Sequence, residues 1–318
     1  MGWGVVVRSG EKRVSTGGSD ELAIDAGLVR RLLAAQFPQW AELPLNEVRL
    51  SGMDNATFRL GEEMSVRLPR FPRWVGQVAR EHRWLPWLAP QLPLPVSEPL
   101  GRGEPGEGYP FPWSVYRWLE GEAVSADGLA DPVRTATELA GFVAALQRID
   151  PTGGPGPEWS NAYRGVPMGD PRDSLATEAR VRPKIAELEG MVDTDAVTAV
   201  WEAALAAPAW EDQPVWVHGD LATGNLLAVD GRLSAVIDFG TLAVGDPAVD
   251  LLPAWKFLPD EARGVFREAV GVDDATWARG RGWALAGSLP SPHDPFFQGA
   301  PGRVAAALGH LDALIADL

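Results

Sequence analysis

Cysteine is absent from all 318 residues. That excludes disulfides, thiolate catalysis and Cys-ligated zinc or iron–sulfur centres. Histidine is scarce: His82, His218, His293 and His310 are the four present, and no two stand at metal-ligand spacing. Lysine is nearly missing too, with Lys12, Lys184 and Lys256 the only three among 28 basic residues. No apolar run reaches membrane-spanning length. The stretch from Met1 to Ser19 holds only Val5-Val-Val7 as an apolar core, too short for a signal peptide. The expectation is a cytoplasmic protein with a loosely ordered tail over residues 1–20. Basic side chains are also outnumbered, 28 against 43 acidic, for a net charge of −15. A chain this acidic is a poor fit to nucleic acid or to an anionic membrane, so neither is an expected partner.

What is present is enough for a sizeable core, since 46% of the residues are apolar, and the length suits two domains or two lobes. The charge divides unevenly. Residues 1–118 carry 14 basic and 13 acidic side chains, whereas residues 119–318 carry 14 and 30, a net of −16. This excess either keeps the larger part soluble or gives it a field that attracts a cationic small molecule, and charge asymmetry alone does not choose between them.

The first part reads as strands. Val48-Arg-Leu-Ser-Gly52, Ala56-Thr-Phe-Arg-Leu60 and Met64-Ser-Val-Arg-Leu68 are short runs separated by the turn residues Gly52-Met-Asp-Asn55 and Gly61-Glu-Glu63, which predicts antiparallel strands joined by tight turns. A helix is expected from Trp74 to Leu88, where Val75, Val78, Ala79, His82 and Leu85 repeat at helical spacing. Strands near Val96–Leu100 and Trp113–Leu119, around a Gly/Pro-rich hairpin, complete a lobe of five strands and one helix over 21–118. Residues 119–318 read as mainly helical, with candidates at Pro132–Gln147, Pro171–Glu189, Thr194–Ala207, Pro247–Phe257, Asp260–Ala269, Ala275–Ala286 and Ala300–Asp317. One β-rich island interrupts them: Val215–Val217, Leu226–Val229 and Leu233–Ile237, with Asp230-Gly231 as the hairpin turn.

Polar residues gather at that island. Asp220, Asn225 and Asp238 lie at strand ends, and the hairpin returns Asp238 beside the other two. A carboxylate and an amide oxygen are hard donors suited to Mg²⁺, and a further carboxylate can accept or orient a hydroxyl proton. This is the equipment of phosphoryl transfer. Paired carboxylates also serve glycoside hydrolysis, but the asparagine and the hairpin context fit a metal better.

His218-Gly-Asp-Leu-Ala-Thr-Gly-Asn225 resembles a kinase catalytic loop with Gly in place of the usual Arg, and Asp238-Phe-Gly240 resembles the kinase metal-binding triplet. With Gly245-Asp-Pro-Ala-Val-Asp250 following, the segment is similar to the aminoglycoside phosphotransferase family of small-molecule kinases, over about Leu45 to Trp283. The resemblance implies an α+β, bilobal protein-kinase-like fold: a small five-stranded antiparallel N-lobe with one helix, and a mainly helical C-lobe. It implies Asp220 as the catalytic aspartate, Asn225 and Asp238 as Mg²⁺ ligands, and His218 as a brace between the catalytic loop and the triplet. Asp246, before Pro247, reads as a helix N-cap, and Asp250 would tie down the catalytic loop.

In the N-lobe, kinases use a lysine on the third strand and a glutamate on the following helix. Here Arg67 stands at the lysine position and Glu81 at the glutamate, and a pair between them is expected. A guanidinium can grip phosphate, but Arg for Lys is not a neutral exchange. The phosphate-covering turn would include Ser51, Gly52 and Asn55. The backbone around Arg117 and Leu119 would hydrogen-bond the purine. Trp159, Trp255, Trp277 and Trp283 fall in the C-lobe, and each is expected in the core. The leading reading is a Mg²⁺-dependent kinase that uses ATP or GTP to phosphorylate a hydroxyl of a small molecule, with the −16 lobe favouring a cationic aminoglycoside. The alternatives are a kinase for a macrolide, a nucleoside antibiotic, choline or homoserine, and a nucleotide-binding pseudokinase that regulates a partner.

Overall fold

Alternation along the amino-terminal strands decides how the sheet is covered. The computed structural model describes residues 22–48, 54–173, 175–291, 293 and 297–318, so the tail expected over 1–20 lies outside the described residues. Strands β1 (Leu45–Glu47), β2 (Asn55–Leu60), β3 (Met64–Pro69), β4 (Pro99–Gly103) and β5 (Trp113–Arg117) form one antiparallel sheet in the order β1-β2-β3-β5-β4. Val66, Leu68, Trp113 and Val115 point to one face and join Phe58 and Leu60 in a buried cluster. Residues between them point the other way, as a period of two requires. Register pairs Arg67 with Ser114 and Ser65 with Tyr116, so these four share the opposite face.

The apolar face is closed by helix α1 (Ala26–Gln36), which the sequence reading did not include. Its N-cap is Asp25, whose Oδ1 accepts Leu28 N–H at 2.8 Å, and Val29, Leu32 and Leu33 are buried at helical spacing. Each contributes about 1.5–3 kcal/mol of burial. The opposite face meets helix α2 (Val75–Leu88), close to its expected span. Two strand boundaries differ from expectation. The first described strand is Leu45–Glu47, Val48 N–H extends its ladder to Thr57 O at 2.9 Å, and 49–52 of the expected strand lie outside the described residues. Val96 leaves the N-lobe sheet for a bridge to Val236, held by Val236 N–H on Pro95 O at 2.9 Å. The fourth strand therefore begins at Pro99.

The C-lobe contains α3 (Pro132–Arg148), α4 (Glu178–Ala186), α5 (Thr194–Ala206), α6 (Pro253–Lys256), α7 (Asp260–Val270), α8 (Asp274–Ala286) and α9 (Pro301–Ala316). Helix α4 starts seven residues later than the sequence reading places it. Asp173 explains the delay, because its Oδ1 takes the N–H groups of Leu175 and Ala176 at 2.5 and 2.6 Å, and this turn competes with helix. Residues Pro247–Leu251 form a 3₁₀ turn ahead of α6. The island is present as β7 (Val215–Val217), β8 (Leu226–Val229) and β9 (Arg232–Val236). Two short strands outside the sequence reading flank it: β6 (Glu122–Ala123) pairs with β8, and β10 (Ala243–Gly245) pairs with β7. The larger core packs α3 against this island through Leu139, Phe142, Trp216 and Phe239. Trp255, Trp277 and Trp283 are in that core, but Trp159 is 61% exposed and does not meet its expectation.

Candidate functional site

The loop after β7 carries Asp220 and Asn225. Its course is fixed from below by Asp250, whose two oxygens accept the N–H groups of His218 and Gly219, each at 2.7 Å. Burial pushes the Asp250 carboxyl up to about 7, against the pull of those two bonds. His218 is fully buried, its Nε2 lies 3.1 Å from Ile237 O, and its Nδ1 accepts Asp220 N–H at 3.2 Å. A carbonyl can only accept, so Nε2 carries the proton and the imidazole is neutral; burial lowers its basicity. The ring also packs on Phe239, with centroids 4.5 Å apart. His218 thus contacts both the 218–225 segment and the Asp238–Gly240 turn.

Asn225 faces Asp220 directly. Its Nδ2 donates to Asp220 Oδ2 at 3.0 Å and to Asp220 O at 2.9 Å. The amide nitrogen is therefore spent, and the amide oxygen remains as a donor for a cation. Asp238 follows β9 with a φ of +66°, in the left-handed region. Its Oδ2 accepts from Arg67 Nη2 at 2.9 Å. This is the clearest departure from expectation: Arg67 pairs with Asp238 and not with Glu81. Burial alone would lower the Arg67 pKa, but Asp238 and then Glu81 outweigh it and raise it. The guanidinium also lies over the Tyr116 ring at 5.7 Å. Glu81 is tied elsewhere, accepting from the Tyr116 hydroxyl and, at 3.0 Å, from Phe239 N–H. The strand-to-helix ion pair is replaced here by a strand-to-turn pair, because the longer guanidinium reaches across to Asp238.

Asp246 caps the 3₁₀ turn through Ala248 N–H at 2.9 Å and takes a forked ion pair from Arg279 at 2.8 and 3.2 Å. Asn55 is buried and its Oδ1 accepts from Gln77 at 2.6 Å, so it ties the start of β2 to α2. Ser51 and Gly52 lie outside the described residues. Arg117 directs its backbone N–H to Glu98 O at 2.9 Å and its guanidinium to Glu98. Leu119 N–H has no hydrogen-bond partner among the described residues.

Several residues at the site carry no signal in the motif. Asp54 lies in the field of Asp238 and Asp220, and its carboxyl is pushed up to about 6, first by burial and then by Asp238. Asp238 has Arg67 at 2.9 Å and Asp54 has Arg73 at 4.0 Å, and among the described residues no three acidic or imidazole side chains group closely enough to hold a metal by themselves, so an ion here would also need the Asn225 amide oxygen and oxygens from a phosphate or water. The free oxygens of Asn225 and Asp238 are of the hard kind Mg²⁺ takes. Gln77, Arg80 and Glu81 form a polar group on the buried side of α2. Their spacing of three and four is the available signal, since buried polar residues on one helical face have specific partners. Lys256 is the remaining case: burial lowers its ammonium to about 8, with Asp220 opposing, and its Nζ donates to Gly287 O.

A family model described as the phosphotransferase enzyme family matches residues 47–283. No curated protein sequence matches the chain. Among solved structures, the GDP and kanamycin complex of APH(2")-IIia is 18% identical, with a TM-score of 0.65 over 91% of this chain and 98% of that one. The streptomycin–ATP–APH(2")-IIa ternary complex is 17% identical, with a TM-score of 0.54 over 92% and 99%. The macrolide 2'-phosphotransferase MphH from Brachybacterium faecium is 25% identical, with a TM-score of 0.54 over 91% and 97%. Among the described residues, no helix is long and apolar enough to cross a membrane.

Proposed function

The chain belongs to the phosphotransferase enzyme family, and from that footing we propose that it moves the γ-phosphate of ATP or GTP to a hydroxyl of a small molecule of antibiotic type. Residues 21–118 hold the nucleotide, and residues 119–318 supply the reacting groups and the acceptor site. The observation that carries this reading is the pairing of Asp220 with Asn225 at 3.0 Å and of Asp238 with Arg67 at 2.9 Å, the two pairs joined where Ile237 N–H donates to Asn225 O at 2.9 Å. Asp220 Oδ2 is occupied by Asn225, and Oδ1 has no hydrogen-bond partner among the described residues. That oxygen accepts the proton of the attacking hydroxyl or fixes its direction. Asn225 and Asp238 hold Mg²⁺, which when bound offsets phosphate charge. Arg67 turns from Asp238 to the phosphates as nucleotide arrives, a task its forked donors suit. Leu119 N–H is free for a purine acceptor. The intact set favours an enzyme over a binding-only relative.

The acceptor we propose is a cationic aminoglycoside, for two reasons. Residues 119–318 carry a net charge of −16, and solved structures of the same fold hold kanamycin or streptomycin. The macrolide enzyme of similar fold makes a macrolide the second reading. A screen of hydroxyl-bearing antibiotics with labelled ATP and GTP, read by product mass, identifies the acceptor. With that acceptor, Asp220→Asn is expected to keep nucleotide binding and lose transfer by on the order of 10²-fold or more. Near-normal turnover by this variant would refute the assignment of Asp220.

A further inference from the structure

Helix α2 grips the turn that follows Asp238 with side chains that the proposed reaction does not use. Glu81 Oε1 accepts Phe239 N–H at 3.0 Å. Arg80 Nη1 donates to the Gly240 carbonyl. These two anchors sit on the residues directly after Asp238, which itself holds a φ of +66°. A residue with a Cβ seldom occupies that region unless its surroundings require it. Returning Asp238 to an ordinary φ would carry Phe239 N–H off Glu81 and the Gly240 carbonyl off Arg80. The anchors therefore fix the course of the backbone that presents the Asp238 carboxylate.

Arg80 is in turn gripped from the far side. Its side chain is 4% exposed, and Nη2 meets Glu158 Oε1 at 3.1 Å. Nη2 also donates to Ser160 Oγ, and Nη1 reaches Ser160 O at 3.4 Å. The segment supplying these partners is firmly built. Asn161 is fully buried, takes Glu158 N–H on its Oδ1 at 2.7 Å and donates to Gly156 O at 3.0 Å. Ala162 and Tyr163 follow in consecutive left-handed conformations. The helix approaches so closely that a Cβ on Gly76 would lie 2.8 Å from Ser160 Cβ. The C-lobe loop thus holds Arg80, and Arg80 holds the turn behind Asp238.

We propose that Arg80, with Glu158 and Ser160 as its outer grip, is a positioning residue that sets the affinity for the metal–nucleotide pair by fixing the direction of the Asp238 carboxylate. The proposal rests on the phosphotransferase reading above. Glu158→Leu with Ser160→Ala removes both side-chain acceptors of the outer grip and leaves Arg80 with the backbone carbonyls of Gly240 and Ser160. Binding of ATP and of GTP is measured by calorimetry on the full chain, in excess Mg²⁺ and again in EDTA, with melting curves alongside. The double variant is expected to bind nucleotide about tenfold more weakly in Mg²⁺, the loss of roughly one hydrogen bond to a charged group. In EDTA its affinity stays within about twofold of the unmodified chain, because the phosphate and base contacts are untouched. Arg80→Lys should behave like the double variant, since an ammonium cannot span both the Gly240 carbonyl and Glu158. Equal weakening in Mg²⁺ and EDTA, or a lower melting point with unchanged Mg²⁺-dependent binding, would reduce Arg80 to a purely structural role and overturn the proposal. An unmodified chain that binds neither nucleotide would overturn the phosphotransferase reading, and this proposal with it.

Discussion

If Asp238 holds Mg²⁺ as proposed, Arg67 and the ion compete for the same carboxylate, and the competition can be measured without any acceptor. Arg67 Nη2 sits 2.9 Å from Asp238 Oδ2, with side-chain exposures of 16% and 30%. Removing one partner of a fully buried pair costs about 3–5 kcal/mol. Partial exposure of Asp238 screens the pair and brings the figure down to about 2 kcal/mol. Arg67→Met keeps the stem and places a thioether against the Tyr116 ring, a contact aromatic rings accept, so the charge is the main loss. In EDTA the variant should melt a few degrees lower than the unmodified chain. In Mg²⁺ the order of gains reverses. In the unmodified chain an ion meets a carboxylate already holding a guanidinium on Oδ2, whereas the variant offers a carboxylate with no competing cation. A difference of about 2 kcal/mol corresponds to roughly 30-fold in apparent Mg²⁺ affinity, so Mg²⁺ should raise the melting point of Arg67→Met more than that of the parent. Nucleotide affinity should move the opposite way, because the forked phosphate donor is gone. Equal Mg²⁺ gains in the two proteins would refute the claim that Arg67 guards the Asp238 position.

The partner of Arg67 was not legible in the sequence, and the reason is geometric. Which carboxylate a strand arginine reaches depends on how closely two lobes approach, and neither strand pattern nor spacing encodes that distance. The core of the site was legible for the opposite reason. Asp220 and Asn225 are five residues apart, and Asp238 returns to them through a hairpin whose turn residues, Asp230 and Gly231, both adopt positive φ, as a two-residue hairpin turn requires. Such contacts are local and survive any packing of the lobes. Helix α1 did leave a signal, in the Asp25 cap and in Val29, Leu32 and Leu33, but its apolar stripe is short and adjoins the tail. The strands Glu122–Ala123 and Ala243–Gly245 are two and three residues long, below what a period of two can reveal. Trp159 was misplaced because aromatic character predicts burial on average, whereas its loop is shaped by Asn161 and by the grip of Glu158 and Ser160 on Arg80.

Two further outcomes follow, one for the acceptor and one for the loop that holds Asp220. The KM for an aminoglycoside should rise with added salt, because screening cuts the reach of the acidic lobe to roughly 8 Å at physiological ionic strength, while the nucleotide KM should change much less. An acceptor KM that ignores salt would point to the macrolide reading and leave the charge asymmetry a matter of solubility. The loop prediction concerns Asp250, whose buried carboxyl is raised from 3.8 to about 7. Between those values the folded chain keeps a proton that the unfolded chain has shed, so the unfolded state binds fewer protons and stability falls as pH rises. The contribution is fully present below about pH 4 and is lost by the time pH has passed about 7. A rise of this size corresponds to on the order of 4 kcal/mol. Asp250→Asn removes the titration but also removes one acceptor from His218 or Gly219, which adds an offset that does not depend on pH. Subtracting the stability of the variant from that of the parent, by denaturant melts between pH 4 and 8, cancels every other carboxylate. The difference should decline steadily across that range, turning against the parent toward pH 8. A flat difference would mean that Asp250 stays ionised in the folded chain, its charge fully satisfied by the two N–H groups it holds.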